Sequence, residues 1–142
     1  MDQIEHPPLE TWQARRDWFE SLQQANEGQT PVSPSEQASA LLIDLQAVFC
    51  AGAWVAAIVL AAAVIESQSR HVGGRPSSRL PGLSIEERRW LYHLRNRLVH
   101  EHHSDPVLTI EDQWLNRPDW ERRARRAVEM AVRALYPPAA GT

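Results

Sequence analysis

The sequence contains no lysine, so all 15 of its basic residues are arginines, set against 18 acidic residues for a formal net charge of −3. A GC-rich codon supply accounts for this bias without any function. The charges are unevenly spread, because residues 1–67 hold two arginines and nine acids, whereas residues 68–142 hold thirteen arginines and nine acids. If the protein binds a polyanion, we therefore expect the second half of the chain to contact it.

Cysteine is almost absent as well. The single cysteine, Cys50, cannot form an internal disulfide, and this fits a reducing compartment. The first residues are acidic and lack the apolar stretch of a signal peptide, so we expect a cytoplasmic protein. The chain has 142 residues, of which 43% are hydrophobic and 23% charged. This composition is that of one soluble domain and excludes a disordered tail or a disulfide-rich miniprotein.

No stretch alternates between apolar and polar residues as a β-strand does, so we predict an all-α fold. Helices are predicted over residues 9–25, 34–68, 84–102 and 116–136, while residues 107–113 are either extended or the entry to a helical turn. Ser33-Pro34-Ser35-Glu36 and the pair Ser84 and Glu87 have the pattern of capping boxes. These elements predict a four- to five-helix antiparallel bundle with a long apolar central helix. We expect one domain over residues 1–142, with its core at 35–136, an N-terminal helix within 1–30 and a tail at 137–142.

The apolar run over residues 47–65 contains no charge in nineteen residues and would form a helix about 28 Å long, close to the thickness of a bilayer core. Eight of its residues are alanine, flanking lysines are absent, and Asp44 and Glu66 stand near its ends. We therefore favour a buried helix over a membrane span. Apolar residues at alternating spacings of four and three predict a heptad-like seam and a homodimer; the seam runs through Leu41, Leu45, Val48, Gly52, Val55, Val59, Ala62 and Glu66.

One face of the helix predicted over residues 84–102 gathers imidazole, carboxamide and guanidinium groups. At 100° per residue the apolar side chains occupy half of the helical wheel. The other half carries His93, Asn96, Arg97, His100 and His103, with Arg95 at its edge.

These residue types suit the cleavage of RNA by attack of its own 2′-OH on the adjacent phosphate. A histidine titrates near neutral pH and can accept the 2′ proton or protonate the leaving 5′ oxygen, a contribution of about 10²–10⁴-fold. Arginine binds phosphate through two parallel N–H donors, and asparagine orients the phosphate or the imidazole. The alternative interpretation is the solvated face of an amphipathic helix, which composition alone favours.

Two other polar clusters have weaker patterns. His100-Glu101-His102-His103 suggests zinc, but it lacks the spacing of a known metal helix and has no cysteine or acidic partners at ligand spacing, so we predict no metal and no cofactor. The arginines predicted on the last helix either bind RNA phosphates or form a solvated face, and acidic neighbours favour the second; they are Arg122, Arg123, Arg125 and Arg126.

The sequence Arg95-Asn96-x-x-x-His100 resembles the Arg-x4–6-His motif of HEPN-domain proteins, the higher eukaryote and prokaryote nucleotide-binding group. The surroundings are also similar to that family. A long alanine-rich helix ends in an acid at Glu66, a variable loop follows, and the motif lies near the end of the next helix. The resemblance covers residues 35–136.

The resemblance implies a four- or five-helix bundle that dimerises around a composite, metal-independent ribonuclease site. Many relatives are toxins of toxin–antitoxin pairs or parts of phage-defence systems, so a nucleotidyltransferase-type antitoxin is an expected partner. Arg95 would bind the scissile phosphate, Asn96 would position it, and His100 would be the acid or base. Some toxins of the group carry a tyrosine two residues after the histidine, where this chain has His102.

We therefore expect an endoribonuclease that cuts RNA, such as tRNA or mRNA, and leaves a 2′,3′-cyclic phosphate. The alternative is a non-catalytic HEPN-like module that binds a partner protein, RNA or nucleotide. Glu66 is expected to support the site. Further RNA contacts are expected from His93, Arg97, His102, His103, Arg75 and Arg79.

Overall fold

A computed structural model describes residues 6–26, 34–73, 80–101 and 105–137. Within these ranges every regular element is a helix and there is no strand, which confirms the all-α prediction. The helices are α1 (Leu9–Asn26), α2 (Glu36–Ala51), α3 (Trp54–Gly73), α4 (Ile85–Val99), the single turn α5 (Asp112–Leu115) and α6 (Arg117–Leu135).

The first and last long helices lie where the sequence predicts them. Helix α1 begins at the expected residue, and α6 has Pro118 in its first turn, where a missing N–H removes no helical hydrogen bond. The ambiguous segment before α6 resolves into a turn and α5. In that turn Thr109 and Asp112 exchange side-chain-to-backbone hydrogen bonds of 2.9 and 3.1 Å, as in a capping box.

The predicted long central helix is wrong, because a tight turn at Gly52 and Ala53 divides it into α2 and α3. Gly52 has φ 81°, the left-handed conformation that glycine adopts without steric cost. Its N–H donates to the carbonyl of Phe49, and the N–H of Ala53 donates to that of Val48, which is the Schellman arrangement at a helix end. The nineteen-residue apolar run is therefore not one continuous helix.

Helices α2 and α3 form an antiparallel hairpin. The backbone N–H of Ser35, at the start of α2, donates to Oε1 of Gln68 near the end of α3 at 2.7 Å. Ser35 is also the N-cap of α2, since its hydroxyl accepts from the N–H of Ala38. Pro34 therefore precedes the cap instead of occupying the first helical position, while Ser33 lies outside the described residues.

Helix α3 lies at the centre of the fold and packs against α2, α4 and α6, while α1 covers α2 and α6. Helices α3 and α6 pack against each other along much of their length, and both bury alanines completely. Such small side chains let two helix backbones approach closely. The fully buried alanines of these two helices are Ala57, Ala61, Ala124, Ala127 and Ala131.

The heptad-like seam is also not a feature of the fold. Because α2 and α3 run antiparallel, residues on either side of Gly52 no longer share one helix face. Leu45 and Gly52 are buried, Glu66 is exposed, and the other five seam residues are partly buried. The homodimer thus stays a prediction without the seam as its support.

By length and composition alone, α3 is apolar enough to cross a membrane. Its most apolar window has a mean hydropathy of 1.2, and 39% of that window is buried in the protein. The central helix of a soluble bundle has the same character.

Arginines from α1 and α6 hold the turn between α2 and α3. Arg15 donates to the carbonyl of Cys50 at 3.1 Å, and Arg117 donates to the carbonyl of Gly52. Both guanidinium groups also contact the ring of the buried Trp54, at 4.7 and 5.8 Å from its centroid. Burial lowers the pKa of Arg15. The turn is therefore fixed by contacts from residues far away in the sequence.

The arginines along α6 are engaged within the protein. Arg125 lies over Trp18 at 4.6 Å and pairs with Glu121, while Arg126 lies over Trp90 at 4.0 Å. Arg123 lies over Trp120 at 4.5 Å, and Arg122 pairs with Asp119. This surface therefore offers fewer unpaired donors to a polyanion than its arginine content implies.

Candidate functional site

The start of α4 is anchored to α6 through the predicted capping box. Ser84 and Glu87 exchange two hydrogen bonds of 3.1 Å. Glu87 also accepts from both terminal nitrogens of Arg133, at 2.5 and 3.2 Å, in a bidentate pair. The hydrogen bond from Arg133 is the main reason that the pKa of Glu87 is lowered to about 2. Helix α4 is thereby held in a defined position.

Gly82 allows this anchor to form. A β-carbon at this position would lie 2.3 Å from the carbonyl oxygen of Arg133, well inside van der Waals contact. Arg133 also donates to the carbonyl of Gly82 at 3.2 Å. The loop before α4 thus packs backbone to backbone against α6, which only glycine permits.

The far end of α4 differs from the prediction, because the helix ends at Val99 instead of near residue 102. His100 is the C-cap, with extended dihedral angles of φ −127° and ψ 101°, although its N–H still donates to the carbonyl of Asn96 at 2.8 Å. The helical wheel therefore does not place the His100 side chain. His103 lies outside the described residues.

Arg95 and Asn96 meet directly on α4. The Nη1 of Arg95 donates to Oδ1 of Asn96 at 3.0 Å, and both side chains are partly buried. An arginine has five N–H donors, so this bond orients the guanidinium group and leaves donors for an anion. The two adjacent residues of the motif thus form a hydrogen-bonded pair, which the sequence did not predict.

A groove of about 120 Å³ runs between α3 and α4 beside this pair. Its walls are partly apolar, with charged side chains from both helices. It is lined by Ala62, Ile65 and Glu66 from α3 and by Arg88, Leu91, Tyr92 and Arg95 from α4. The structure thus brings Glu66 and Arg95 to one opening, as the expected supporting role of Glu66 requires.

Neighbouring side chains limit how the charges in this groove are used. Arg88 donates to the hydroxyl of Ser69 at 3.2 Å. Glu66 lies 3.6 Å from Arg70 one turn along α3, and both of these side chains are at least half exposed. An exposed pair of this kind is weak, so a ligand can replace it.

Sequence reasoning missed Tyr92 and Arg88 as groove residues. The successive spacings of four and three residues from Arg88 to Tyr92 to Arg95 were a usable signal, because residues three and four apart lie on one helix face. The groove itself depends on how α3 packs against α4, which local sequence does not reveal.

The other predicted residues that the structure describes are not among those that line the groove. His93 is exposed and makes a T-shaped contact with the ring of Tyr92, with ring centroids 5.8 Å apart. Arg97 is exposed and pairs with Asp105 at 3.1 Å. His100 is exposed, and within the described ranges no group hydrogen-bonds its ring. Arg75, Arg79, His102 and His103 lie outside the described residues.

Across the part of the chain that the structure describes, no three His, Cys, Asp or Glu side chains converge as metal ligands do. Half of the His-Glu-His-His run falls outside that part, so the zinc alternative is untested.

No protein-family model, curated protein or solved structure matches the chain. A function is therefore inferred from the residues of the site.

Proposed function

We propose that the protein is a metal-independent endoribonuclease of the HEPN type, which cleaves RNA and leaves a 2′,3′-cyclic phosphate. The observation that carries this proposal is the hydrogen-bonded pair of Arg95 and Asn96 at the α3–α4 groove, with His100 one turn beyond Asn96. The motif resemblance and the all-helical fold support it.

The chemistry divides between the guanidinium and imidazole groups. Arg95 binds the non-bridging oxygens of the scissile phosphate and offsets the charge that develops on them. The 2′ oxygen forms a bond to phosphorus as the bond to the 5′ oxygen breaks. Neutral His100 accepts the 2′ proton, and a protonated imidazole supplies a proton to the leaving 5′ oxygen.

A dimer is part of the proposal because a single chain does not bring the Arg95 guanidinium and the His100 imidazole together. Arg95 lines the groove, whereas His100 is not among its lining residues. His100 follows the last residue of α4 in an extended conformation, and its side chain is exposed. Two α4 helices that meet at their C-terminal ends, where Val99 and His100 are exposed, would place Arg95 of one protomer near His100 of its partner.

The cellular setting follows from the same family resemblance. We propose a cytoplasmic toxin of a toxin–antitoxin or phage-defence system, with tRNA or mRNA as substrate and a nucleotidyltransferase-type antitoxin as partner. Growth arrest on expression, relieved by Arg95→Ala and His100→Ala, is the expected result of such a role.

The enzymatic claim is tested by incubating purified protein with single-stranded RNA in EDTA. Wild-type protein should cleave at least about 100-fold faster than His100→Ala or Arg95→Ala. His71→Ala is the control and should cleave as fast as wild type, since His71 is an exposed histidine on α3 that does not line the groove. Mass spectrometry should show 5′ fragments lighter by one water than the linear phosphate. Equal cleavage rates for wild type and both site variants would refute the proposed ribonuclease activity.

A non-catalytic binding module is the second candidate, and the His100 ring favours it. A catalytic histidine is usually oriented by a hydrogen bond to its second nitrogen, and no group in the described ranges supplies one. A binding module predicts that RNA binding persists in His100→Ala and that no product forms at any pH between about 5 and 8.

A further inference from the structure

We propose that the α3–α4 groove selects an unpaired guanine base, which stacks on Tyr92 and pairs with the carboxylate of Glu66. The proposal rests on the proposed function in one respect, because it assigns the phosphate next to that base to Arg95. It adds the identity of the base that the site recognises.

Tyr92 supplies a stacking surface at the groove. Its side chain is 61% exposed although it borders the apolar residues Ala62, Ile65 and Leu91. An aromatic ring that is open to solvent beside an apolar wall can bind the face of a nucleobase. Every base has such a face, so Tyr92 explains binding of an unpaired base without explaining selectivity.

The spacing of Tyr92 and Arg95 fits one nucleotide. Residues three apart on a helix have β-carbons about 5–6 Å from each other on the same face. That separation is comparable to the distance between a base and its own phosphate. A base on Tyr92 therefore places an adjacent phosphate within reach of the Arg95 guanidinium group.

Glu66 supplies the selectivity, because an ionised carboxylate only accepts hydrogen bonds. Guanine presents two adjacent donors on its Watson–Crick edge, N1–H and the N2 amino group. Adenine and cytosine each present one donor beside a ring-nitrogen acceptor, and uracil presents one donor between two carbonyl acceptors. A single carboxylate thus makes two hydrogen bonds to guanine and meets at least one repelling acceptor on each other base.

The groove is suited to an unpaired base alone. In a duplex the Watson–Crick edge is already paired and both faces of the base are stacked, so neither Tyr92 nor Glu66 can reach them. Glu66 is available for this contact, since its only described ion pair is the solvent-exposed one with Arg70. Single-stranded loops and ends are therefore the substrate class.

The test is binding of short 2′-O-methyl oligonucleotides, which cannot be cleaved and therefore report recognition separately from catalysis. Fluorescence anisotropy is measured with single-stranded oligomers that differ only in one central base: guanine, adenine, cytosine, uracil or hypoxanthine. We expect guanine to bind about tenfold more tightly than adenine, cytosine or uracil. Hypoxanthine keeps N1–H but lacks the N2 amino group, so it should bind with intermediate affinity.

Four variants, two at the site residues and two as controls, assign the recognition to Glu66 and Tyr92. Glu66→Gln should bring guanine to within about twofold of the other bases, whereas Glu129→Gln, the same change at an exposed position on α6, should leave the preference intact. Tyr92→Ala should weaken binding of all the oligomers about tenfold or more, and Tyr92→Phe, which keeps the ring, should restore it.

Wild-type protein that binds all five oligomers equally, or binds none, overturns the proposal. So does a guanine preference that survives Glu66→Gln. Failure of the proposed function gives a different pattern, in which guanine is preferred but unmodified RNA is not cut. Cleavage without any preference among the bases contradicts the guanine site but still supports the proposed ribonuclease activity.

Discussion

Two regions along α3 use arginine in opposite ways. At the N-terminal end, Arg15 and Arg117 direct their donors at backbone carbonyls of the α2–α3 turn and lie over the buried Trp54. Beside the middle of the helix, Arg95 of α4 makes one hydrogen bond to Asn96 and lines an open groove together with Glu66. In a chain without lysine, arginine content therefore does not locate a ligand site. What locates a site is an arginine that the fold holds in a fixed orientation while some of its N–H donors stay available to a ligand.

The largest effect on stability is expected where the groove helix is anchored. Gly82→Ala places a β-carbon against the backbone of Arg133, and the resulting displacement should reduce the free energy of unfolding by about 3 kcal/mol. Because Gly82 precedes α4, RNA cleavage should fall as well. Urea denaturation and the cleavage assay measure both effects. A fully stable Gly82→Ala protein would show that the contact between this loop and α6 is not needed.

A smaller loss is expected at the α2–α3 turn. Arg117→Ala removes hydrogen bonds to Gly52 and Gln113 and the contact with Trp54, so unfolding should become easier by about 2 kcal/mol. The control is Arg122→Ala, an exposed arginine on the same helix, which should change stability by no more than about 0.5 kcal/mol. Equal losses of stability in the two variants would show that the contacts of Arg117 with the turn contribute no more than the exposed ion pair of Arg122.

The smallest predicted effect is on the acid dependence of stability, which distinguishes the Glu87–Arg133 anchor of α4 from the α2–α3 turn. The pKa of Glu87 is lowered from 4.5 to about 2 in the folded protein, so its pairing with Arg133 stabilises the fold above about pH 4.5. That contribution, about 1–2 kcal/mol for a partly exposed pair, is lost as the pH falls from about 4.5 towards 2. Glu87→Gln should remove this part of the acid dependence in denaturation curves, whereas Arg117→Ala should retain it.

The sequence predicted correctly those helix starts that are determined by residues within one turn of each other. The pairing of Ser84 with Glu87 is read correctly because both partners lie within one helical turn. The same holds for the first turn of α6 with Pro118.

The break at Gly52 was missed because the residues around it are apolar on both sides, so the hydrophobic pattern continues through the turn. What holds the turn is tertiary, since Arg15 and Arg117 reach it from α1 and α6. A glycine inside a predicted helix was the one local signal of a chain reversal.

The candidate site was predicted in part. Among the residues that the sequence singled out, Arg95 hydrogen-bonds Asn96, and Arg95 and Glu66 line one groove. Tyr92 and the groove were not foreseen, because the packing of α3 against α4 creates them. His100 was placed by a helical wheel that no longer applies after α4 ends at Val99.

The most direct test of the account measures RNA cleavage and thermal unfolding together for Arg95→Ala and Arg117→Ala. The account predicts that Arg95→Ala loses at least about 100-fold in kcat/KM while its Tm stays within about 2 °C of wild type. It predicts that Arg117→Ala loses several degrees in Tm, while its kcat/KM well below that temperature stays within about threefold. Full activity in Arg95→Ala, or an equal loss of activity in both variants, would contradict the assignment of the groove as the functional site.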